Sequence, residues 1–265
     1  MTLSRSQLQK QINRLSQRHQ APLPRMPDAL ELAQRAGIEP DAWQADVLRS
    51  ESTRLLLNCS RQSGKSTVTG LLAVSTALTQ PGSLILLISP TLRQSGELFR
   101  SCARVYNSGG GPALVPPVSE TALSLTLRNG SRIVSLPGTE AHVRGFAAPA
   151  LVAVDEASRV DDEMFAAILP MFATNDGRLV LLSTPWGRRG FFWESWNSAG
   201  WQKVKIRADQ CTRISPEHLE EQRARLGNFW FGQEYECVFL DPTGSAFAEA
   251  DIARAFEGNV SLWSL

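Results

Sequence analysis

Ser60-Arg61-Gln62-Ser63-Gly64-Lys65-Ser66-Thr67 sets small, cationic and hydroxyl-bearing residues in the order needed to hold a phosphate. Backbone N–H groups of such a loop, together with the N-terminus of a following helix, converge on an anion that the helix dipole also attracts. In this arrangement Gly64 leaves room for close phosphate approach, Lys65 reaches the β- and γ-phosphates of ATP, and the Ser66 hydroxyl is a Mg²⁺ ligand. The first glycine of the full G-x-x-x-x-G-K-S/T pattern is replaced by Cys59. A second candidate pair is Asp155 and Glu156. Neighbouring side chains at a strand end point in opposite directions, so the two acids can do separate work. Asp155 is suited to hold Mg²⁺ through water, and Glu156 to polarise an attacking water as general base. Ser183, Thr184 and Pro185 offer hydroxyls that can sense a γ-phosphate or the attacking water, or a proline that simply stops a strand. Upstream, the Gln44 amide carries the donor and acceptor that an adenine edge requires, and Trp43 can brace that site or serve as core.

Elements that can position these groups are legible around them. Arg54-Leu55-Leu56-Leu57-Asn58-Cys59 is a short apolar run of the kind that forms a buried parallel strand, and a helical stretch, Val68 to Thr79, follows the loop. Strand, Gly-Lys-Ser loop and helix in that order are the context that makes the motif credible. Ala150 to Val154 is a second apolar strand, delivering Asp155 and Glu156, and Leu179 to Leu182 a third, delivering Ser183. Leu84 to Ser89 predicts a further strand with a helix from Leu92 to Tyr106 behind it. Ala122 to Leu127 and Arg132 to Leu136 flank Asn129-Gly130, the strongest short hairpin signal in the chain, expected as an antiparallel extension of a mainly parallel sheet.

The chain has 265 residues, and 27 basic against 26 acidic side chains give a net charge of +1. That balance excludes a uniformly basic polyelectrolyte and an acidic disordered tail. The charge is uneven along the chain: residues 1–25 carry +5, residues 178–213 carry +5 and residues 214–265 carry −6. Two basic segments in a neutral protein are compatible with a local polyanion contact, and equally with a solvated helix face. Leu8, Ile12 and Leu15 predict that the first is a basic amphipathic helix; its acid-free composition is also that of a mitochondrial transit peptide. No apolar run is long enough to cross a bilayer, and Cys59, Cys102, Cys211 and Cys237 lack metal-site spacing, so free thiols and no membrane partner are expected. Trp186, Trp193, Trp196 and Trp201 cluster in one stretch, read as core or lid packing rather than base stacking.

The order of these motifs resembles the large terminase subunit of tailed bacteriophages and related viruses. Trp43-Gln44 is similar to that family's adenine motif, Ser60 to Ser66 to its arginine-containing Walker A loop, Val152 to Glu156 to its Walker B strand and Ser183-Thr184-Pro185 to its coupling motif. Phe231-Gly232-Gln233-Glu234-Tyr235-Glu236-Cys237-Val238-Phe239 is similar to the segment that closes the family's ATPase region. The resemblance covers roughly residues 40–245, and in this family the first loop position often lacks glycine, which makes Cys59 unremarkable. It implies an α/β fold of the P-loop NTPase (ASCE, RecA-like) type, a three-layer sandwich with a mainly parallel central sheet and a small C-terminal lid. It further implies an ATP- and Mg²⁺-dependent motor for double-stranded DNA, working as a homo-oligomeric ring, five subunits in related motors. The partners would be a portal protein and a small terminase subunit, in the host cytoplasm and transiently on the viral procapsid. By the same resemblance Arg144 is expected as a trans-acting arginine finger and Arg61 as a phosphate-binding or sensing group, with Arg61 the rival for the finger role in cis.

The expected organisation is a basic helical arm over 1–27, an ATPase core over 28–187, a lid region over 188–240 and a linker over 241–265. Residues 241–265 offer Asp251 without an apolar strand to deliver it, so the family's nuclease is not expected in this chain. Two other readings remain: a helicase-type ATPase in repair or recombination, and a nucleotide-dependent assembly module without motor work. No clear downstream helicase motifs favour the first, and Glu156 speaks against the second.

Overall fold

The computed structural model describes residues 25–138, 143 and 145–240. The expected arm, apart from residues 25–27, the expected linker 241–265 and the expected finger Arg144 all lie outside the described residues.

Two short helices, α1 (Ala29–Arg35) and α2 (Ala42–Arg49), lead into β1 (Arg54–Cys59). Asp28 caps α1, its carboxylate accepting from the N–H groups of Leu30 and Glu31, both at 2.9 Å. Then follow α3 (Lys65–Thr79), β2 (Leu84–Ser89), α4 (Leu92–Ser108) and α5 (Gly111–Leu114). Next come β3 (Pro117–Glu120), β4 (Ser124–Leu127), β5 (Arg132–Pro137), β6 (Leu151–Asp155) and α6 (Asp162–Ile168). The described chain closes with β7 (Arg178–Ser183), α7 (Gly190–Asn197), β8 (Gln202–Ile206) and α8 (Pro216–Glu234).

These strands form one eight-stranded sheet in the order β3-β4-β5-β2-β6-β7-β1-β8. From β5 to β8 every neighbouring pair is parallel; β3, β4 and β5 are antiparallel. The Asn129-Gly130 hairpin is thus the edge extension its sequence predicts, lengthened by β3, whose residues are all exposed. The opposite edge is β8, which pairs Leu55 with Gln202 and Cys59 with Ile206. β8 comes from the segment expected as a lid, and its Lys203 and Lys205 are exposed.

Strand alternation accounts for the layers. Leu55 and Leu57 of β1, with Ile85 and Leu87 of β2, pack against α1, α3 and α4, through Leu32, Val68, Leu71 and Leu98 among others. Leu56 and Leu86 point to the other face, where Met164 and Ile168 of α6 and Phe191 and Phe192 of α7 cover them. Because both faces are covered, the central strands read as continuous apolar runs rather than alternating ones. This is the expected three-layer arrangement. One strand, β7, separates the strand entering the phosphate-type loop from the strand ending in Asp155, so Ser183 emerges between the two motifs.

Trp193, Trp196 and Trp201 join the α6–α7 side of the core, and Trp193 lies 4.7 Å from Phe239 between ring centroids. Packing, as expected, accounts for them. The surface helix read over Glu217–Leu226 is longer, running from Pro216 to Glu234 with a break at Gly227 (φ 69°, ψ 171°). No described helix is long and apolar enough to cross a membrane.

Candidate functional site

The loop after β1 turns sharply onto α3 through two left-handed residues, Gln62 (φ 58°) and Gly64 (φ 92°). Such a turn presents successive N–H groups on a concave side, which suits an anion. Arg61, Gln62, Ser63, Gly64, Lys65, Ser66 and Thr67 line a cavity of about 390 Å³ together with Asp155 and Glu156. The sheet therefore brings together groups that are some 90 residues apart in sequence.

Apart from Arg144, which lies outside the described residues, the expected residues take the following places. Lys65 is buried, and its ammonium group donates to the carbonyls of Cys59 (3.2 Å) and Ser60 (3.0 Å), folded along its own loop. Ser66 is exposed at the cavity mouth. Ser63 Oγ donates to the Ser60 carbonyl at 2.9 Å and closes the loop on itself. Glu156 sits in the left-handed region (φ 49°, ψ 42°), an uncommon backbone state for a glutamate that recurs at functional sites. Ser183 Oγ lies 2.7 Å from Ser158 Oγ and accepts from the Ser158 N–H at 3.2 Å, binding the end of β7 to the turn after Glu156. Thr184 Oγ1 beside it is buried without a hydrogen-bond partner.

Gln44 is arranged differently from its expected role as a base reader. Its carbonyl accepts from the Asp41 N–H at 2.9 Å and its amide nitrogen donates to the Ser63 carbonyl at 3.2 Å, so both ends of the amide bond main-chain groups. Gln44 thereby braces the loop from outside. Trp43 packs against the core, and its indole nitrogen is buried without a partner.

The ion pairs include partners that sequence reasoning missed. Arg61 meets Glu234 at the end of α8, Nε to Oε2 at 2.7 Å and Nη2 to Oε1 at 3.4 Å. This contact raises the Arg61 pKa above the ordinary arginine value, chiefly through the hydrogen bond to Glu234. Glu234 also accepts from Arg159 at 3.2 Å. Arg213 forms a fork to Asp41 (3.1 and 2.8 Å) and donates to the Ser63 carbonyl at 3.0 Å. Of these partners, Glu234 stands in a motif identifiable from sequence. Contacts spanning 75 to 173 residues leave no periodic signal.

The half-buried Asp155 carboxyl is pushed up to about 6, first by desolvation and then by the neighbouring Glu156 charge, against the opposing pull of Lys65. The donor set fits Mg²⁺: one carboxylate and the Ser66 hydroxyl at an open cavity, the sparse oxygen ligation magnesium accepts alongside phosphates. A carboxylate held short of positive charge is also one that a cation would stabilise. A group whose folded pKa is raised loses stability as pH climbs from the ordinary carboxylate value to the folded one. Asp155→Asn is accordingly expected to melt higher than the parent chain above pH 6, with the gap closing toward the ordinary value of 3.8. Thermal melts across that range, without nucleotide, check this; a gap that does not change with pH would remove the assigned cause.

Comparison with known proteins agrees with the fold. The family model for "Terminase large subunit, T4likevirus-type, N-terminal" matches residues 56–254. The large terminase subunit of Thermus virus P23-45 is 26% identical over 82% of this chain and 52% of its own length. That of Thermus phage G20c is 25% identical over the same shares. The chain thus spans about half the length of the curated relatives it matches. Among solved structures, the large terminase ATPase domain of Thermus phage P74-26 superposes with a TM-score of 0.72, at 22% identity, over 82% of this chain and all of that one. The large terminase of a thermophilic bacteriophage in complex with ADP gives 0.60 at 13% identity, over 82% of this chain and 54% of its own.

Proposed function

This chain belongs to the terminase large-subunit family, matching its T4likevirus-type N-terminal domain, and from that premise we propose that it is an ATP-hydrolysing motor that moves double-stranded viral DNA into a procapsid. The observation that carries the reading is the single cavity in which the loop 61–67 meets Asp155 and Glu156. A phosphate cradle beside a carboxylate that can activate water is a hydrolytic site, whereas a binding module needs only the cradle.

In this reading the loop N–H groups take the β- and γ-phosphates, and Lys65 swings from the Cys59 and Ser60 carbonyls onto them. Ser66 and Asp155 would hold magnesium, which would neutralise phosphate charge. Glu156 accepts a proton from the attacking water. Gln44 and Arg213 keep the loop in place through the Ser63 carbonyl, and Trp43 packs against the core. Ser183 and Thr184, between the two motifs, pass the state of the phosphates to the region beyond Pro185. Arg61, which lines the cavity, is a phosphate-responsive group, and Arg144 the finger that a neighbouring copy would receive. The remaining assignments are a ring of identical subunits, five by analogy, on a portal, with a small terminase subunit, in the host cytoplasm.

The reading is tested by ATP turnover of the purified chain with and without duplex DNA. Turnover that rises with chain concentration and with duplex is expected, because a finger from a neighbouring copy requires assembly. Absence of turnover under every such condition would overturn the enzyme reading. Strand separation of the duplex would move the chain to the helicase class.

A further inference from the structure

Arg159 stands at the centre of the ion pairs around the cavity, although no part of the proposed chemistry requires it. It closes the short turn Ala157–Arg159 that follows β6, and its N–H donates to the Glu156 carbonyl at 2.8 Å. Its guanidinium reaches two carboxylates: Nε lies 3.9 Å from Glu156 Oε2, and Nη2 lies 3.2 Å from Glu234 Oε1. The same group lies over the Trp186 ring, 3.9 Å from its centroid, and Trp186 is in turn 5.8 Å from Trp230. The turn that carries Arg159 is itself pinned, because Ser158 Oγ contacts both Ser183 Oγ (2.7 Å) and the Thr184 carbonyl (2.8 Å).

We propose that Arg159 is a positioning residue for hydrolysis, holding the Glu156 carboxylate in one direction while anchored on Trp186 and Glu234. This rests on the reading of Glu156 as the base. A planar guanidinium stacked on an indole has little freedom to turn, so its remaining N–H edges point in fixed directions. The Glu156 backbone is already confined to a left-handed state, which sets where the side chain begins. Arg159 then limits where it ends. Misplacing a reacting group by about 1 Å can cost on the order of 100-fold in rate, so an orienting contact is felt in turnover and not in nucleotide binding.

The anchor also has a direction along the chain. Trp186 follows Ser183-Thr184-Pro185 directly, and Trp230 lies just after the Gly227 break of α8. Arg159 therefore joins the base to the two segments that leave the cavity toward the rest of the chain. Lysine cannot replace it, because a compact ammonium does not offer a fork to two carboxylates while stacked on a ring.

The experiment is a cycle of single-turnover ATP hydrolysis by the parent chain, Arg159→Ala, Glu156→Gln and the double variant, with binding of a non-hydrolysable ATP analogue measured on each. Arg159→Ala is expected to slow hydrolysis roughly 10- to 100-fold with analogue affinity unchanged, and to add nothing in the Glu156→Gln background. Arg159→Lys, the milder change should the alanine variant fold poorly, is expected to recover only a small part of the rate. The same fold-loss in both backgrounds, or full rescue by lysine, would overturn the proposal while leaving Glu156 as base. A Glu156→Gln variant that hydrolyses at the parental rate would instead overturn the reading of Glu156, and a parent chain without turnover would remove both.

Discussion

Glu156→Gln is expected to lower ATP turnover by roughly 10²–10⁴-fold, the usual contribution of a positioned general base, while nucleotide affinity stays at the parental level. The amide keeps the shape of the side chain and loses the proton-accepting carboxylate. Glu156 lies beside the phosphate cradle and makes no hydrogen bond to the loop: its N–H bonds Asp155 Oδ1 at 3.0 Å, and its side chain faces Arg159. Binding should therefore survive. Steady-state turnover paired with analogue titration separates the two effects. Turnover and affinity falling together would mean that Glu156 shapes the cavity rather than activating water.

The second large effect is expected at Gly64. A Cβ at this position would stand 2.4 Å from Gln44 Nε2 and 3.2 Å from Arg213 Nη2, and the backbone there is left-handed at φ 92°. Left-handed backbone costs a non-glycine residue about 1–2 kcal/mol. The Gln44 amide must move away and gives up its hydrogen bond to the Ser63 carbonyl, worth about 1 kcal/mol, while Arg213 shifts only slightly. The loop of Gly64→Ala therefore relaxes to another path, and binding a nucleotide must restore it at a cost of about 2–3 kcal/mol, or roughly 30- to 100-fold in affinity. Gly37→Ala is the control: it shares the left-handed backbone (φ 67°) but its Cβ meets nothing within 4 Å. It should lower the melting temperature and leave nucleotide affinity alone. Parental affinity in Gly64→Ala would show that the loop does not bind in the conformation described.

What the sequence reveals follows from burial. Arg54–Cys59 and Leu84–Ser89 are covered on both faces, so their apolar runs mark both strand ends. β8 is an edge strand with the burial of a half-exposed surface, and Lys203 and Lys205 hide it among the basic residues around it. Lys65, Asp155 and Glu156 are legible because strand context accompanies them. Gln44 is identifiable, yet the amide that could read a base instead bonds main chain at both ends, which only the fold reveals. Arg159 is one turn from Glu156 and is still not legible, since its significance depends on Glu234 and Trp186, which reach it through the fold.

The two margins of the sheet have a consequence of their own. An exposed strand edge is a template for pairing with another molecule, and lysines, prolines and irregular register are what blunt it. Here one margin carries Lys203 and Lys205. The other is the short β3, headed by Pro117 and shifted in register between Pro117 and Ser119. Neither margin offers a flat, uncharged ladder to a neighbouring copy. Edge-to-edge pairing of two such sheets is therefore disfavoured at both margins of the described sheet, by charge at one and by irregular backbone at the other.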